Sequence, residues 1–492
     1  MSDPIKTFFM KFKMDTKLGT MESLFLSEDR ESVENWKYNK EKSEENTQPK
    51  KEKIENSFQN VFIEFQRTME SFQKSARFMM VSAPLMRRIG DTEHLRGFAR
   101  KHGVELQTGE YELYQIGIEH ISEISRRLQS SSSVAQGIKI LPRLFMLGLI
   151  SAYDVFLSNL IRTILLKKPE ILSSSEKNFS FKDLLEIGSI EAARERMIEK
   201  EVETVIRSSH AAQIRSLEKT LSMTLTKDLK IWPDFIEICE RRNLITHTGG
   251  IISSQYISVC KEHGVDVSAR SVGDELTIDQ KYYVHAVSVI LEMGIKLTQV
   301  IWRKLEPSEI ELAATELNEF AYKMIVDRRY KLAAEILEFG LQTSKKTVTE
   351  AIRKNMIVNY ANAVKLGGNK LEAERIIDAE DWSAATDVYK LCVAAVKDDV
   401  DQVVSMMEAT VRSGGLEVSA IRDWPVFEKV RSDSRFVDVF EKAFGEKLIL
   451  DKETKSTMKA KDEDENSNEV KTSLVGDEAR SDEIDLSGNN IN

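Results

Sequence analysis

The sequence IKILPRLFMLGLISAYDVFLSNLIRTILLKK, residues 138–168, is the stretch that decides the fold. It is a long apolar segment interrupted by Arg143, Asp154 and Arg162. Its longest uncharged apolar run, from Leu144 to Tyr153, is too short to span a bilayer, which needs about 20 such residues. A helix this apolar is expected in the core of a helical bundle. We therefore expect an all-α protein built around this segment.

Three further helices follow in an order that suits a bundle. A charged helix is expected from about Ser189 to Lys219, and an apolar closing helix from about Asp279 to Leu305. Between them lies a helix that begins near Pro233, whose missing N–H costs nothing in a first turn, and stops at Gly249-Gly250.

The end of that middle helix carries the most informative motif, ERRNLITHTGG at residues 240–250. Arg242, Asn243 and His247 form the pattern R-N-x-x-x-H. On a helix Asn243 and His247 share a face, with Glu240 one turn earlier on the same side. Arg242 lies about 100° round the helix from Asn243, so its long side chain can lean toward that face.

This grouping resembles the Arg/His signature of HEPN-domain proteins, many of which are ribonucleases, and its residue types suit the cleavage of RNA by its own 2′-hydroxyl. A histidine titrates near neutral pH and can take or give the proton. An arginine can hold phosphate oxygens bidentately as negative charge builds in the transition state. The alternative is that His247 only interacts favourably with the helix dipole and that the pattern arose by chance.

The motif and the helix order resemble those of HEPN-domain proteins over residues 135–306. That resemblance implies a four-to-five-helix bundle and a metal-independent endoribonuclease with an R-x4-6-H site. It also matches Asp154 to the acidic residue that faces the Arg/His pair in many of these domains, with Arg241 as a further supporting residue. An equal alternative for Asp154 is a structural pair with Arg143 or Arg162.

Other kinds of site find little support in the sequence. It contains no phosphate-binding loop, no GxGxxG, no HExxH and no CxxC, so we expect neither a metal nor a cofactor. The three cysteines, Cys239, Cys260 and Cys392, lack metal-ligand spacing and fit a reducing compartment. Arg207 and His210, in the run RSSH, are expected on a solvated helix face.

Net charge limits how RNA could be bound. The tail from Asp451 holds 12 acidic and 6 basic residues, so the rest of the chain carries only −4 of the net −10. A basic stripe is missing, and any RNA contact should be local to Arg241 and Arg242. With neither a signal peptide nor a spanning helix in evidence, we expect a cytoplasmic protein.

The N-terminal third is expected to be mixed in character. Residues 1–53 should be a mostly disordered, charged segment, and 54–134 should form amphipathic helices. One of these carries apolar residues at heptad spacing, from Phe58 to Ala76. It could pack on its own bundle, which we favour, or pair with a second copy. A second amphipathic helix is expected over 108–128, ending at Ser130–Ser133.

The C-terminal half of the chain is expected to contain a short hairpin, helical repeats and a charged tail. Residues 251–278 should form a small β-hairpin after the motif helix. Residues 307–448 resemble tetratricopeptide-like helical repeats, since the steps Ala363–Lys365 and Ala395–Lys397 recur at an interval of 32 residues. Residues 449–492 should be a disordered acidic tail.

The sequence thus favours an endoribonuclease that acts as a homodimer, because one motif supplies half of a composite HEPN-type site. Such enzymes commonly serve as toxins or in antiviral defence, and the repeats could bind a regulatory protein or peptide. One rival is a non-catalytic scaffold with the same two parts. Another is a regulator of a different helical class, in which Arg242 and His247 are ordinary polar residues.

Overall fold

The computed structural model describes residues 9–15, 20–27, 57–90, 93–107, 113–173, 180–344 and 347–448. The described part of the chain is mostly helical, which confirms the all-α class. The chain divides into two compact units, Met1–Asn60 and Val61–Asn492. Residues 28–53 of the predicted N-terminal segment and the whole predicted acidic tail (449–492) lie outside the described residues.

The first unit contains an antiparallel strand pair, β1 (Phe9–Asp15) and β2 (Thr20–Ser27). The prediction that residues 1–53 are mostly disordered was therefore wrong for this stretch. The run MKFKM in β1 alternates apolar and basic residues, which is the period of a strand.

The second unit begins with residues of a long helix, α1 (Phe58–Gly90), whose apolar stripe packs inside the chain. Phe62, Phe65 and Met69 are all buried. The ring of Phe62 lies 6.4 Å from that of Trp302 and 6.3 Å from that of Phe320. The preferred alternative for this stripe, packing on its own bundle, is confirmed.

A short helix and a second strand pair separate α1 from the central helix. They are α2 (Glu93–His102), β3 (Gly103–Gln107) and β4 (Leu113–Ile116), with β3 and β4 antiparallel. The predicted amphipathic helix over 108–128 is therefore wrong in its first part. The β-branched and aromatic residues of GVELQ and LYQI favour strand pairing.

The central helix, α3 (Ile121–Lys167), contains the apolar segment that anchored the fold prediction. It is 47 residues long and runs through Ser130–Ser133, where a helix end had been predicted. Serine lowers helix propensity only modestly, so it does not stop a helix on its own. Pro142 lies inside α3, and the residues from Met146 to Leu165 that face the core are buried.

Short helices and a polar helix cover one side of α3. After α4 (Glu170–Ser173) and α5 (Phe181–Ile187) come α6 (Ile190–Ile206) and α7 (His210–Leu221). The single charged helix predicted from Ser189 to Lys219 is thus two helices. Ser209 caps the second one by accepting a hydrogen bond from the Ala212 N–H, which starts a new helix at His210.

The motif helix and the closing helix match their predicted positions. The motif helix, α8 (Trp232–Thr248), has Pro233 in its first turn and ends at Gly249, whose φ is 64°. The closing helix, α10 (Gln280–Leu305), is capped by the side chain of Asp279 and is buried along much of its length.

The β-hairpin predicted at residues 251–278 is wrong. Most of the run IISSQYISV, which begins at Ile251, forms a helix, α9 (Ser254–Glu262). Strand pairing in this region is limited to a single bridge between Ile251 and Glu275. Ser253 caps α9, and Tyr256 and Cys260, four residues apart, are both buried. Burial of one helical face therefore outweighs the strand propensity of IISSQYISV.

The C-terminal half consists of helix hairpins. They are α11 (Ile310–Val326) with α12 (Tyr330–Thr343), α13 (Glu350–Leu366) with α14 (Lys370–Asp378), and α15 (Asp387–Lys397) with α16 (Val400–Arg412), followed by α17 (Val418–Asp423) and α18 (Ser434–Phe444). The two Ala-Val-Lys steps meet, because the Lys365 ammonium donates to the Ala395 carbonyl at 2.6 Å. We call these C-terminal helices, residues 307–448, the helical array. The array also contacts α10, whose Gln299 side chain donates to the Ala313 carbonyl at 2.8 Å.

Two described helices are long and apolar enough, by length and composition alone, to cross a membrane: Gln136–Lys167 within α3 and Gln280–Leu305. Buried core helices pass the same test, and 72% of the apolar window in the second helix is buried. Length and composition are therefore only weak evidence for or against a membrane span.

Candidate functional site

The candidate site lies where α8 crosses α3 and the first turn of α7. Its centre is the Asp154 carboxylate on α3. One oxygen, Oδ1, lies 3.1 Å from His210 Nε2, and the other, Oδ2, lies 3.5 Å from Arg242 Nη2. A single carboxylate therefore joins residues from three helices that are far apart in sequence.

The motif residues of α8 extend this arrangement. Arg242 Nη1 donates to Asn243 Oδ1 at 3.3 Å, and Asn243 Nδ2 donates to Glu240 Oε1 at 3.1 Å. Burial raises the pKa of Glu240, although Asn243 and His210 oppose that shift. The result is a continuous polar chain that runs from His210 through Asp154 and Arg242 to Glu240.

His247 stands apart from that chain. It is exposed in the last turn of α8, one turn beyond Asn243. Among the residues that the structure describes, its side chain makes no hydrogen bond and no ion pair. An exposed imidazole on the same helix as Arg242 can approach a bound molecule without first breaking an internal contact.

Asp154 does not pair with the arginines of its own helix. Arg143 instead pairs with Glu275, and Arg162 lies 2.6 Å from Glu195. The alternative that Asp154 is a structural partner of Arg143 or Arg162 was therefore wrong. Its partners are His210 and Arg242. Of the pair that the resemblance had it face, Arg242 and His247, only Arg242 contacts it among the described residues.

Arg241 belongs to a different cluster. The buried Glu237 carboxylate accepts hydrogen bonds from Arg241, Tyr256, Tyr282 and Arg270, at 2.9, 2.7, 2.7 and 3.2 Å. This cluster fixes the segment after α8 against the bundle. The structure thus brings Asp154, Glu240, Arg242 and Asn243 together but places Arg241 elsewhere.

His210 is the site residue that the sequence analysis missed. It is 7% exposed, and its ring lies 6.1 Å from Phe235 in an edge-on contact. The prediction of a solvated helix face is confirmed for Arg207, which pairs with Glu203 at the surface, but it is wrong for His210. The only sequence signal was Ser209, because an N-cap serine places the next residue in a first helical turn.

The ionisation of His210 is set by opposing effects. Burial alone would lower its pKa, but the neighbouring Cys239 sulfur and the Asp154 carboxylate outweigh burial and raise the pKa above its usual value. The Asp154 carboxylate therefore stabilises the charged form of the His210 ring.

No metal-binding cluster occurs among the described residues. Cys239, Cys260 and Cys392 are free and buried. No protein-family model, no curated protein and no solved structure matches this chain.

Proposed function

We propose that this protein is a metal-independent endoribonuclease of the HEPN type. In this reaction the ribose 2′-hydroxyl attacks the neighbouring phosphorus. The products are a 2′,3′-cyclic phosphate and a 5′-hydroxyl end. Arg242 holds the phosphate oxygens, and His247 transfers a proton to or from the reacting oxygens.

The carrying observation is the Asp154–Arg242 pair, with an exposed His247 five residues further along the same helix. Within the described part of the chain, the Arg242 guanidinium makes two long contacts, at 3.3 and 3.5 Å, which use two of its five N–H donors. The guanidinium is therefore oriented but still able to donate to an incoming phosphate. This is the arrangement that a phosphate-binding arginine requires.

The same geometry supports a site made by two copies. In-line displacement at phosphorus needs one group to remove a proton and another to supply one. Within the described residues, one exposed imidazole stands at each site, because His210 is buried against Asp154. A second His247 from a partner copy would complete the pair. We further infer that the helical array binds a protein or peptide that controls this dimer, as would suit a toxin or a defence effector.

The test is cleavage of single-stranded RNA in EDTA by full-length protein, with analysis of the product ends. We expect cyclic or 3′-phosphate ends, and we expect Arg242→Ala and His247→Ala each to lower the rate at least about 100-fold. His285→Ala is the matched control. His285 pairs with Asp234 at the other end of α8, about 20 Å from His247 at 1.5 Å per residue.

Cleavage that persists in both variants, or that requires a divalent metal, would exclude the proposal. If the parent does not cleave RNA, and both variants melt far below it, the residues are structural and the scaffold alternative gains. Light scattering checks the assembly separately. A dimer is expected at micromolar concentration, whereas a mass near 56 kDa would count against a constitutive dimer.

A further inference from the structure

His210 lies behind the candidate site rather than in it. It is the first residue of α7, and its ring packs against Tyr153 and Phe235, whose ring centres lie 6.2 and 6.1 Å from its own and 5.2 Å from each other. At 7% exposure it cannot meet a macromolecular substrate directly. Any effect on that substrate must pass through a neighbour.

That neighbour is Asp154. The carboxylate uses Oδ1 for His210 and Oδ2 for Arg242, so the two cations share one anion. The other titratable groups that face the His210 ring are Tyr153 on α3 and Cys239 and Glu240 on α8.

Counting charge shows what His210 contributes. With an imidazolium, the trio of His210, Asp154 and Arg242 carries a net charge of about +1, and with a neutral imidazole about zero. In the second case the whole charge of Asp154 falls on Arg242, which then attracts a phosphate less. The difference matters in a chain whose net charge is −10.

We propose that His210 is a positioning residue for Arg242: as an imidazolium it holds and partly neutralises Asp154, which leaves Arg242 oriented and free to bind an RNA phosphate. The identity of that anion rests on the function proposed above. The link among the three side chains does not depend on it.

The first experiment follows the side chains in full-length protein by NMR. The chain has seven histidines, so ring carbon labels can be assigned with single variants. His210 should remain charged at pH 7.5 in the parent and become neutral in Asp154→Asn. The Arg242 side-chain N–H signal should be ordered in the parent and broadened or shifted in His210→Phe. A neutral His210 ring in the parent at pH 7.5, or an unchanged Arg242 signal in His210→Phe, would overturn the proposal.

The second experiment measures kcat/KM for RNA cleavage. His210→Phe keeps a ring for Tyr153 and Phe235 but removes the donor and the charge, and we expect a loss of at least about ten-fold, as for one charge-assisted hydrogen bond. His210→Gln can still donate to Asp154 and should lose less, which covers the case in which His210→Phe fails to fold. Arg207→Gln, an exposed cation three residues away, is the control and should match the parent.

The outcomes separate the two proposals. Cleavage by the parent that is unchanged in both His210 variants would refute the role of His210 and leave the ribonuclease proposal standing. A parent that does not cleave RNA would refute the ribonuclease proposal, while the NMR measurements would still decide the link from His210 to Arg242.

Discussion

At the scale of single residues, adjacent arginines in one motif have different tasks. Arg242 faces Asp154 at the candidate site, whereas Arg241 is 6% exposed and paired with the buried Glu237. The helix explains the division, because consecutive residues point about 100° apart. The two positions can therefore be tested against each other.

We expect Arg241→Met to lower the free energy of unfolding by about 3–5 kcal/mol, because it leaves Glu237 with fewer partners in a buried site. At a temperature where the variant is folded, RNA cleavage should stay near the parent rate. Denaturant unfolding and cleavage assays measure the two effects. A variant that is as stable as the parent but inactive would instead place Arg241 in the catalytic machinery.

The same cluster should make the protein sensitive to acid. Burial opposes ionisation of Glu237, but Arg241, Tyr282 and Tyr256 outweigh it and lower its pKa below 4.5. A lowered folded-state pKa means that this stabilisation is present above the unfolded-state value and is lost as pH falls through the folded-state value. Glu237→Gln should therefore have a lower free energy of unfolding than the parent at pH 7. The difference in free energy of unfolding between the two proteins should decrease as the pH is lowered toward 3.

At the scale of helices, close approach depends on a glycine. In α10, a side chain at Gly294 would collide with the ring of Phe65 from α1. Phe65 itself is buried and stacks near Phe156 of α3, with ring centres 4.1 Å apart. The absence of a side chain at Gly294 therefore lets α1 and α10 come together around α3.

We expect Gly294→Ala to lower the free energy of unfolding by about 1–3 kcal/mol through overpacking. Gly137→Ala is the matched control, because it also lies in a helix and its added Cβ would meet nothing within 4 Å. That control should be neutral or stabilising by up to about 1 kcal/mol, as expected for alanine against glycine in a helix. Denaturant unfolding of both variants measures the difference, and equal effects would contradict this account of helix contact.

At the scale of the whole molecule, the helical array has a core of its own. A cluster of buried apolar residues extends from Ile357 to Leu448 and includes Phe427, Phe436 and Phe440. The first hairpin of the array, in contrast, also contacts the bundle, because Phe320 lies near Phe62. The array thus combines internal packing with one shared surface.

We expect residues 307–448, expressed alone, to give a cooperative and mostly helical melt, since each hairpin buries its apolar face chiefly on its neighbours. Circular dichroism of the fragment measures this. A fragment that extends back to residue 280 and so includes α10 is the control, and it should be somewhat more stable because it keeps the contact of Gln299 with the Ala313 carbonyl. If the 307–448 fragment is unfolded while the longer fragment is folded, the array depends on the bundle for its stability and is not a separate domain.

Much of the molecule followed from local patterns. The apolar run in α3, the proline and glycines that bound α8, and the cap and extent of α10 are properties of neighbouring residues, so the sequence predicts them directly. One of the errors arose where two signals competed. In residues 251–278 strand propensity suggested a hairpin, and burial of Tyr256 and Cys260 made a helix instead.

The candidate site divides in the same way. The sequence by itself determined that Glu240, Arg242, Asn243 and His247 lie near one another, because helical spacing puts them within two turns. Only the tertiary structure decided that His210 reaches Arg242 through Asp154, since 56 residues separate His210 from Asp154. Spacing along a helix is fixed by covalent geometry, whereas the meeting of α3, α7 and α8 depends on how their apolar faces pack, which no short stretch of sequence encodes.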